Sequence, residues 1–398
     1  MTSRLKSALL AAIALFALAG CGGGGGGDGG ISGTGIMQLS ITDAPSCGYD
    51  HVYLTVDRVR VHKSSTAVDG ESGWSEVVLT PVRRIDLLAL TNGVLDILGQ
   101  TPLPAGKYTQ MRLVLAPNSG SGSNPPANAV TPTGGSEVAL TTPSAQQSGI
   151  KLNVNMDVAA GTLADFVIDF DACKSIVKRG NSGQYNLKPV MAVIPVVSNA
   201  GMRVVGYVDQ SIAVATTNVS VQINGVPVKA TMPNTGLTDT GKFELYPVPV
   251  GTYDLVVTAA GHVTAVMTGV PVVSSSITSI NSATTRIVTP SGTMRSVNGT
   301  VNPATTTVRA LQMLTGGPTV EVAWGLVDDL VSPATFSFSL PIEAPVKAAY
   351  VANPVAMNFV TDTAIAGHYT LEASSGGVVK PQAIDANASV PAVAFTFP

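Results

Sequence analysis

Apolar and polar residues alternate at period two along much of the chain, which is the pattern of strands that bury one face. The clearest runs all lie before residue 198 and read IMQLSIT, VYLTVDRVRVHK, WSEVVL, YTQMRLVLA, IKLNVNMDV, LADFVIDF and YNLKPVMAVIPVV. Runs of helical spacing are nearly absent. The pattern therefore predicts a chain built from strands.

The second of these runs changes phase once. Val52 and Val56 have one parity, whereas Val59 and Val61 have the other. A β-bulge at residues 57–58 would insert one extra residue and return all four side chains to the same buried face. We predict such a bulge.

Two stretches do not follow the strand pattern. NGVLDILGQ, residues 92–100, is the best candidate for a short helix. Residues 117–135 have no periodicity and are rich in Gly, Pro, Ser and Asn, which predicts a long exposed loop.

Composition supports the same fold class. Charged residues make up 12% of the 398, and Gly and Pro are abundant at 41 and 26, which favours strands and turns. Turn clusters divide the chain into three units, 36–198, 203–278 and 286–398. We predict an all-β fold of tandem β-sandwich domains. The net charge of −3 offers no attraction to nucleic acid.

The N-terminus predicts export and a lipid anchor. Residues 1–20 combine a basic start with a short apolar core, as secretory signal peptides do. The ending LAGC resembles the bacterial lipobox, which implies that Cys21 is lipidated and becomes the mature N-terminus. Gly22 stands where an inner-membrane retention signal has Asp, which in a Gram-negative cell implies the outer membrane. Residues 21–35 are then the lipidated cysteine and a flexible Gly-rich tether.

The first unit carries several motifs of one family. GTGIMQLSITDAPSCGYDHVYLTVDRVRVH, IDLLALTNG, LPAGKYTQMRLVL, SGIKLNVNMDV and DFDACKSIVKRGNSGQYNLKPV follow one another in the chain. Together they resemble the domain of unknown function 4382. The resemblance implies an exported, often lipid-anchored β-domain, and it transfers no functional residue.

The second unit resembles another family. TDTGKF, VPVGTY and AAGH are similar to the motifs of the carboxypeptidase-regulatory-like, prealbumin-like β-sandwich. The resemblance implies that the tandem sandwiches are immunoglobulin- or prealbumin-like. It also implies that Gly241 and Gly251 occupy turns and that Phe243 and Tyr253 point into the core.

Residues 286–398 are expected to form a third, degenerate sandwich. Gly206 and Phe243 are 37 positions apart, as are Gly299 and Phe336. GHYTLEAS then echoes GTYDLVVTA, but 23 residues later than this register requires. A sandwich of unrelated topology is the alternative.

The cysteines allow two interpretations. Beyond Cys21, the chain has only Cys47 and Cys173, and an even pair in an exported domain predicts a disulfide. Closing a loop of about 126 residues would stabilise the fold by roughly 5 kcal/mol. The alternative is Cys47 as a nucleophile with His51 as its base, although four residues along a turn and strand do not reliably bring the two together.

A group of aspartates suggests a metal site. Asp169 and Asp171 are two residues apart in DFVIDFDAC and so share one strand face. A Cys47–Cys173 bridge would bring Asp43 beside them, and three carboxylates with backbone carbonyls could hold Ca²⁺. The alternative is ion pairing with the basic residues of 174–188, with Asp43 as a turn residue.

Candidate chemistry is otherwise sparse. Trp74 occupies a core or rim position or, alternatively, is a sugar-stacking platform. The sequence contains no H-E-x-x-H, no G-x-S-x-G elbow and no dinucleotide fingerprint. We therefore predict a non-enzymatic cell-envelope lipoprotein without a resident cofactor, which presents β-domains to an envelope protein or glycan. A carbohydrate-binding or Ca²⁺-dependent adhesin is the alternative, and a hydrolase of envelope polymers is third.

Overall fold

The computed structural model describes residues 33–43, 48–118, 125–142, 148–179, 182–325, 327, 333–354 and 356–398. Within these ranges nearly every regular element is a strand, which confirms the all-β prediction. The lipobox with Cys21, most of the tether, and Cys47 lie outside the described residues. No helix in the described ranges is long and apolar enough to cross a bilayer.

The first unit consists of two sheets packed on one core. Its strands are β1 (Thr34–Asp43), β2 (Tyr49–His62), β3 (Ser75–Asp86), β4 (Asp96–Pro104), β5 (Gly106–Leu115), β6 (Ala129–Pro132), β7 (Val138–Thr141), β8 (Ile150–Val158), β9 (Leu163–Phe170), β10 (Ile176–Arg179), β11 (Gln184–Leu187) and β12 (Met191–Val196). A 3-10 helix, Leu87–Leu90, follows β3, and a one-turn helix α1, Ala172–Ser175, follows β9. One sheet has the order β12-β9-β1-β4, and the other has the order β10-β11-β7-β6-β2-β5-β8 with β3 beside β2.

The predicted bulge is confirmed. The register of β2 with β3 and with β5 shifts between Val56 and Arg58. Val56 and Val59 have opposite parity in the sequence, yet both are fully buried. The extra residue therefore keeps one apolar face continuous along the whole strand.

The predicted helix at 92–100 is wrong. The segment begins with a turn at Asn92 and Gly93 and continues into β4, which pairs antiparallel with β1. Gly99 has a φ of 152°, which is incompatible with a helix. The local spacing of apolar residues fits a helix equally well, but backbone pairing with β1 favours the strand.

The prediction of an exposed loop at 117–135 is wrong for residues 128–132. Residues 129–132 form β6, which pairs with β2. Asn128 is fully buried, and its Oδ1 accepts a hydrogen bond from the Thr55 N–H at 3.0 Å. This hydrogen bond holds the end of the loop against β2.

The remaining residues form two further pairs of sheets. The second unit contains β13 (Val204–Tyr207), a 3-10 helix (Gln210–Ile212), β14 (Asn218–Ile223), β15 (Val226–Thr231), β16 (Lys242–Leu245), β17 (Gly251–Thr258), β18 (Ala265–Val272) and β19 (Thr278–Ser279). The C-terminal part contains β20 (Met294–Asn302), β21 (Thr307–Met313), β22 (Thr319–Gly325), β23 (Ala334–Pro341), β24 (Val346–Ala349), β25 (Val360–Thr361), a 3-10 helix (Thr363–Ile365), β26 (His368–Ser375), β27 (Val378–Asp385) and β28 (Val393–Thr396).

These two units share one strand arrangement. The order β16-β13-β19 recurs as β23-β20-β28, and β15-β14-β17-β18 recurs as β22-β21-β26-β27. Gly206 lies opposite Phe243, and Gly299 lies opposite Phe336. A Cβ at Gly206 would lie 2.5 Å from Phe243 Cζ, and one at Gly299 would lie 2.3 Å from Phe336 Cζ. Each ring thus packs on a bare backbone that only glycine provides, which explains the repeated spacing.

The 23 extra residues in the third unit have a defined place. They contain β24 and β25, and β24 pairs in parallel with β18 of the second unit. The Tyr253 hydroxyl donates to the Pro249 carbonyl at 2.7 Å, and the Tyr369 hydroxyl makes the corresponding bond to Pro341 at 2.6 Å across the insertion. The insertion therefore extends the sheet of one unit with a strand from the next.

In the third unit, the edge strand that corresponds to β18 is β27, and a proline limits its ability to pair with a further strand. Val346 N–H of β24 donates to the Thr264 carbonyl at 2.9 Å, and in a parallel ladder the Val266 N–H then donates to Val346. By register, Pro381 of β27 stands where Val266 stands in β18. Proline has no N–H, so β27 cannot accept a strand in the same way.

Candidate functional site

The predicted aspartates lie close together. β1 and β9 are parallel neighbours, with Asp43 opposite Phe170 and therefore beside Asp169. Asp43 is only 1% exposed, and its Oδ1 accepts a hydrogen bond from the Ala172 N–H at 2.9 Å. Its Oδ2 has no hydrogen-bond partner among the described residues. Burial raises the pKa of Asp43 well above its ordinary value, and the Ala172 bond offsets this in part.

A lysine from the second unit enters this group. The Lys229 ammonium forms an ion pair with Asp169 and lies 3.5 Å from the Asp43 carbonyl oxygen. Its side chain is only 1% exposed. Within the described ranges, no group of three or more His, Cys, Asp or Glu residues is arranged to hold a metal ion. The cation beside Asp43 and Asp169 is thus Lys229, and the arrangement does not support the calcium hypothesis.

Asp171 connects the same group to the third unit. Its carboxylate caps α1 by accepting the Lys174 N–H at 2.9 Å. Burial raises the pKa of Asp171 to about 6, although Lys174 opposes the shift. The Lys174 ammonium bonds Glu321 at 2.8 Å and lies 4.6 Å from the ring centroid of Trp324. One short helix of the first unit therefore contacts β22 of the third.

The second and third units are joined at the same place. The Gln222 side chain donates to the Glu321 carbonyl at 2.9 Å and accepts the Glu321 N–H at 2.8 Å. Arg309 lies 3.5 Å from the Glu321 carboxylate and donates to the Gly225 carbonyl at 2.7 Å. We call this set the junction cluster, and its members are Asp43, Asp169, Asp171, Lys174, Gln222, Lys229, Arg309 and Glu321.

The turn that sequence reasoning assigned to a helix also belongs to this interface. Asn92 has a φ of 56°, and its N–H donates to Thr231 Oγ1 at 3.0 Å. Its Oδ1 accepts the Glu244 N–H at 3.2 Å. Asn92 therefore docks the first unit on β15 and β16 of the second.

A cavity of about 400 Å³ opens where the three units meet. The first unit contributes Asp171 and Lys174, the second contributes Asn218 and Gln222, and the third contributes Trp324. A volume of this size lies within the range of small-molecule sites, which are common at domain interfaces.

The other predicted site residues lie elsewhere. Trp74 Nε1 donates to the Val68 carbonyl at 3.0 Å, and the guanidinium groups of Arg60 and Arg112 lie 4.6 and 5.0 Å from its ring centroid. This packing matches the rim position, and sugar stacking by Trp74 stays a prediction. Cys173 belongs to α1 and lines the cavity. Its pairing with Cys47 stays a prediction, because Cys47 lies outside the described residues.

Comparison with known proteins identifies the first unit. Residues 34–189 match the family model described as Domain of unknown function (DUF4382). These residues are a domain of that family. A solved structure titled "Structure of the Streptococcal ancillary pilin" is 9% identical, with 91% of this chain and 98% of that chain covered, at a TM-score of 0.15, which is too low to carry an argument. No curated protein matches the chain.

Proposed function

We propose that the chain is a non-enzymatic lipoprotein of the cell envelope, anchored in the outer membrane through Cys21, that presents β-sandwich units for binding or assembly. The observation that carries this proposal is the junction cluster. Its buried charges pair between units: Lys229 with Asp169, and Lys174 with Glu321. Ionisable groups that pair in this way hold the units in a fixed arrangement, which suits a presenting scaffold.

The anchoring part of the proposal follows from the N-terminal resemblance. Two or three acyl chains on Cys21 give a stable membrane attachment, and the Gly-rich tether then leaves the folded units free of the bilayer surface. The matched family is described only as a domain of unknown function, so the match assigns no activity.

We also propose that Cys47 and Cys173 form a disulfide. Cys173 lies in α1 between Asp171, which caps the helix, and Lys174, which contacts the third unit. A bridge to Cys47 would restrain α1 at the junction as well as close a long loop.

Replacing Cys21 with serine is expected to abolish anchoring, because serine cannot accept the thioether-linked lipid. Cells that express the unsubstituted chain should incorporate labelled palmitate into it and retain it in the outer-membrane fraction. The Cys21→Ser chain should be unlabelled and released by mild lysis, whereas Cys173→Ser should keep the label. An unlabelled wild-type chain, or equal membrane retention of Cys21→Ser, would contradict the proposal.

A further inference from the structure

We infer that the cavity at the junction binds a small, neutral, hydroxyl-rich ligand of the size of a single sugar ring. The cavity holds about 400 Å³, and each of the three units supplies part of its wall. A ligand in this place would contact all three units at once.

Hydrogen-bonding groups in the wall define the ligand's polar side. Asn218 lines the cavity, and its side-chain amide can donate and accept hydrogen bonds. Thr216 and Thr258 line the same cavity, and their hydroxyl groups can donate or accept.

Apolar groups define the other side. Pro227, Ala230, Ala323 and Trp324 also line the cavity. A sugar ring presents C–H groups on one face and hydroxyl groups at its rim, so it suits a wall of this mixed character. An acyl chain would offer no hydrogen bond to Asn218, Thr216 or Thr258.

The charges of the wall argue against a charged ligand. Lys174 is already paired with Glu321 at 2.8 Å, and Glu321 also lies 3.5 Å from Arg309. The Asp171 carboxylate in the same wall would repel an anion. A cation would compete with Lys174 for carboxylates that are already engaged.

Trp324 provides a direct reporter, because the chain has only two tryptophans. The full chain with Trp74→Phe should show a saturable change in Trp324 emission when titrated with glucose, galactose or N-acetylglucosamine. Adding Asn218→Ala should raise the half-saturating concentration about tenfold, as expected for one lost hydrogen bond. Asn298→Ala, at an exposed position on β20, is the matched control and should change nothing.

Saturation-transfer NMR on the unsubstituted chain repeats the test without the Trp74 change. The inference is overturned if no sugar gives a saturable signal up to about 100 mM, a hundredfold above a Kd of about 1 mM. It is also overturned if Asn218→Ala binds as well as the parent, or if sodium phosphate or lysine binds and the sugars do not. Sugar binding does not require the anchor, so its failure is distinguishable from failure of the Cys21 test.

Discussion

Replacing Lys229 with methionine is expected to destabilise the folded chain by about 3–5 kcal/mol, because it leaves buried carboxylates without their cation. The Lys229 side chain is 1% exposed and that of Asp169 is 11% exposed. Asp43, beside them, is also buried. Little water reaches these groups to compensate for the lost ammonium.

The matched control is an exposed pair in the same unit. Lys242 lies 3.6 Å from Asp239, and their side chains are 37% and 53% exposed. Lys242→Met should therefore cost less than about 1 kcal/mol. Urea unfolding of both variants measures the difference, and Asp169→Asn added to Lys229→Met should recover part of the loss. Equal costs for the two lysine substitutions would show that Lys229 does not hold the interface.

Replacing Asp171 with asparagine is expected to remove a pH dependence of stability. The pKa of Asp171 is raised by burial from 3.8 to about 6, so the folded state keeps a proton that the unfolded chain releases near pH 4. The wild-type chain therefore loses stability at this site as the pH rises from about 4 to about 6. The shift corresponds to at most about 3 kcal/mol.

Asparagine keeps the capping function at the start of α1 but cannot ionise. The free energy of unfolding of Asp171→Asn, relative to wild type, should therefore increase between pH 4.5 and pH 7. Asp239→Asn, at an exposed site, should show no such increase. A wild-type chain and an Asp171→Asn variant with parallel pH profiles would show that the Asp171 carboxylate titrates as an ordinary exposed one.

Local patterns predict the strands well, because each strand needs only one apolar face. The phase change at residues 57–58 gives the bulge directly, and the spacing of Gly206 and Phe243 recurs in Gly299 and Phe336 because a ring packs on glycine in both units. The prediction of a helix at residues 92–100 is wrong because the apolar spacing there fits a helix as well as a strand. Pairing with β1, a long-range contact, decides between them.

The sequence predicted part of the candidate site. The two-residue spacing of Asp169 and Asp171 and the expected Cys47–Cys173 disulfide placed both aspartates near Asp43. Neither observation indicated which basic residues pair with them. Lys229 is an isolated lysine in a strand, and its bond to Asp169 spans 60 residues; Lys174 and Glu321 are 147 residues apart. No local pattern signals such pairs, because they form only after the units have folded and docked. The sequence therefore suggested a metal ion at the place where the folded chain has the ammonium group of Lys229.

The junction cluster should join the three units into one cooperative body. Differential scanning calorimetry of the purified Cys21→Ser chain measures this cooperativity. We expect a single unfolding transition, which splits or broadens when Lys229→Met removes the buried ion pair. Separate transitions for the units in the parent chain, unchanged by Lys229→Met, would contradict it.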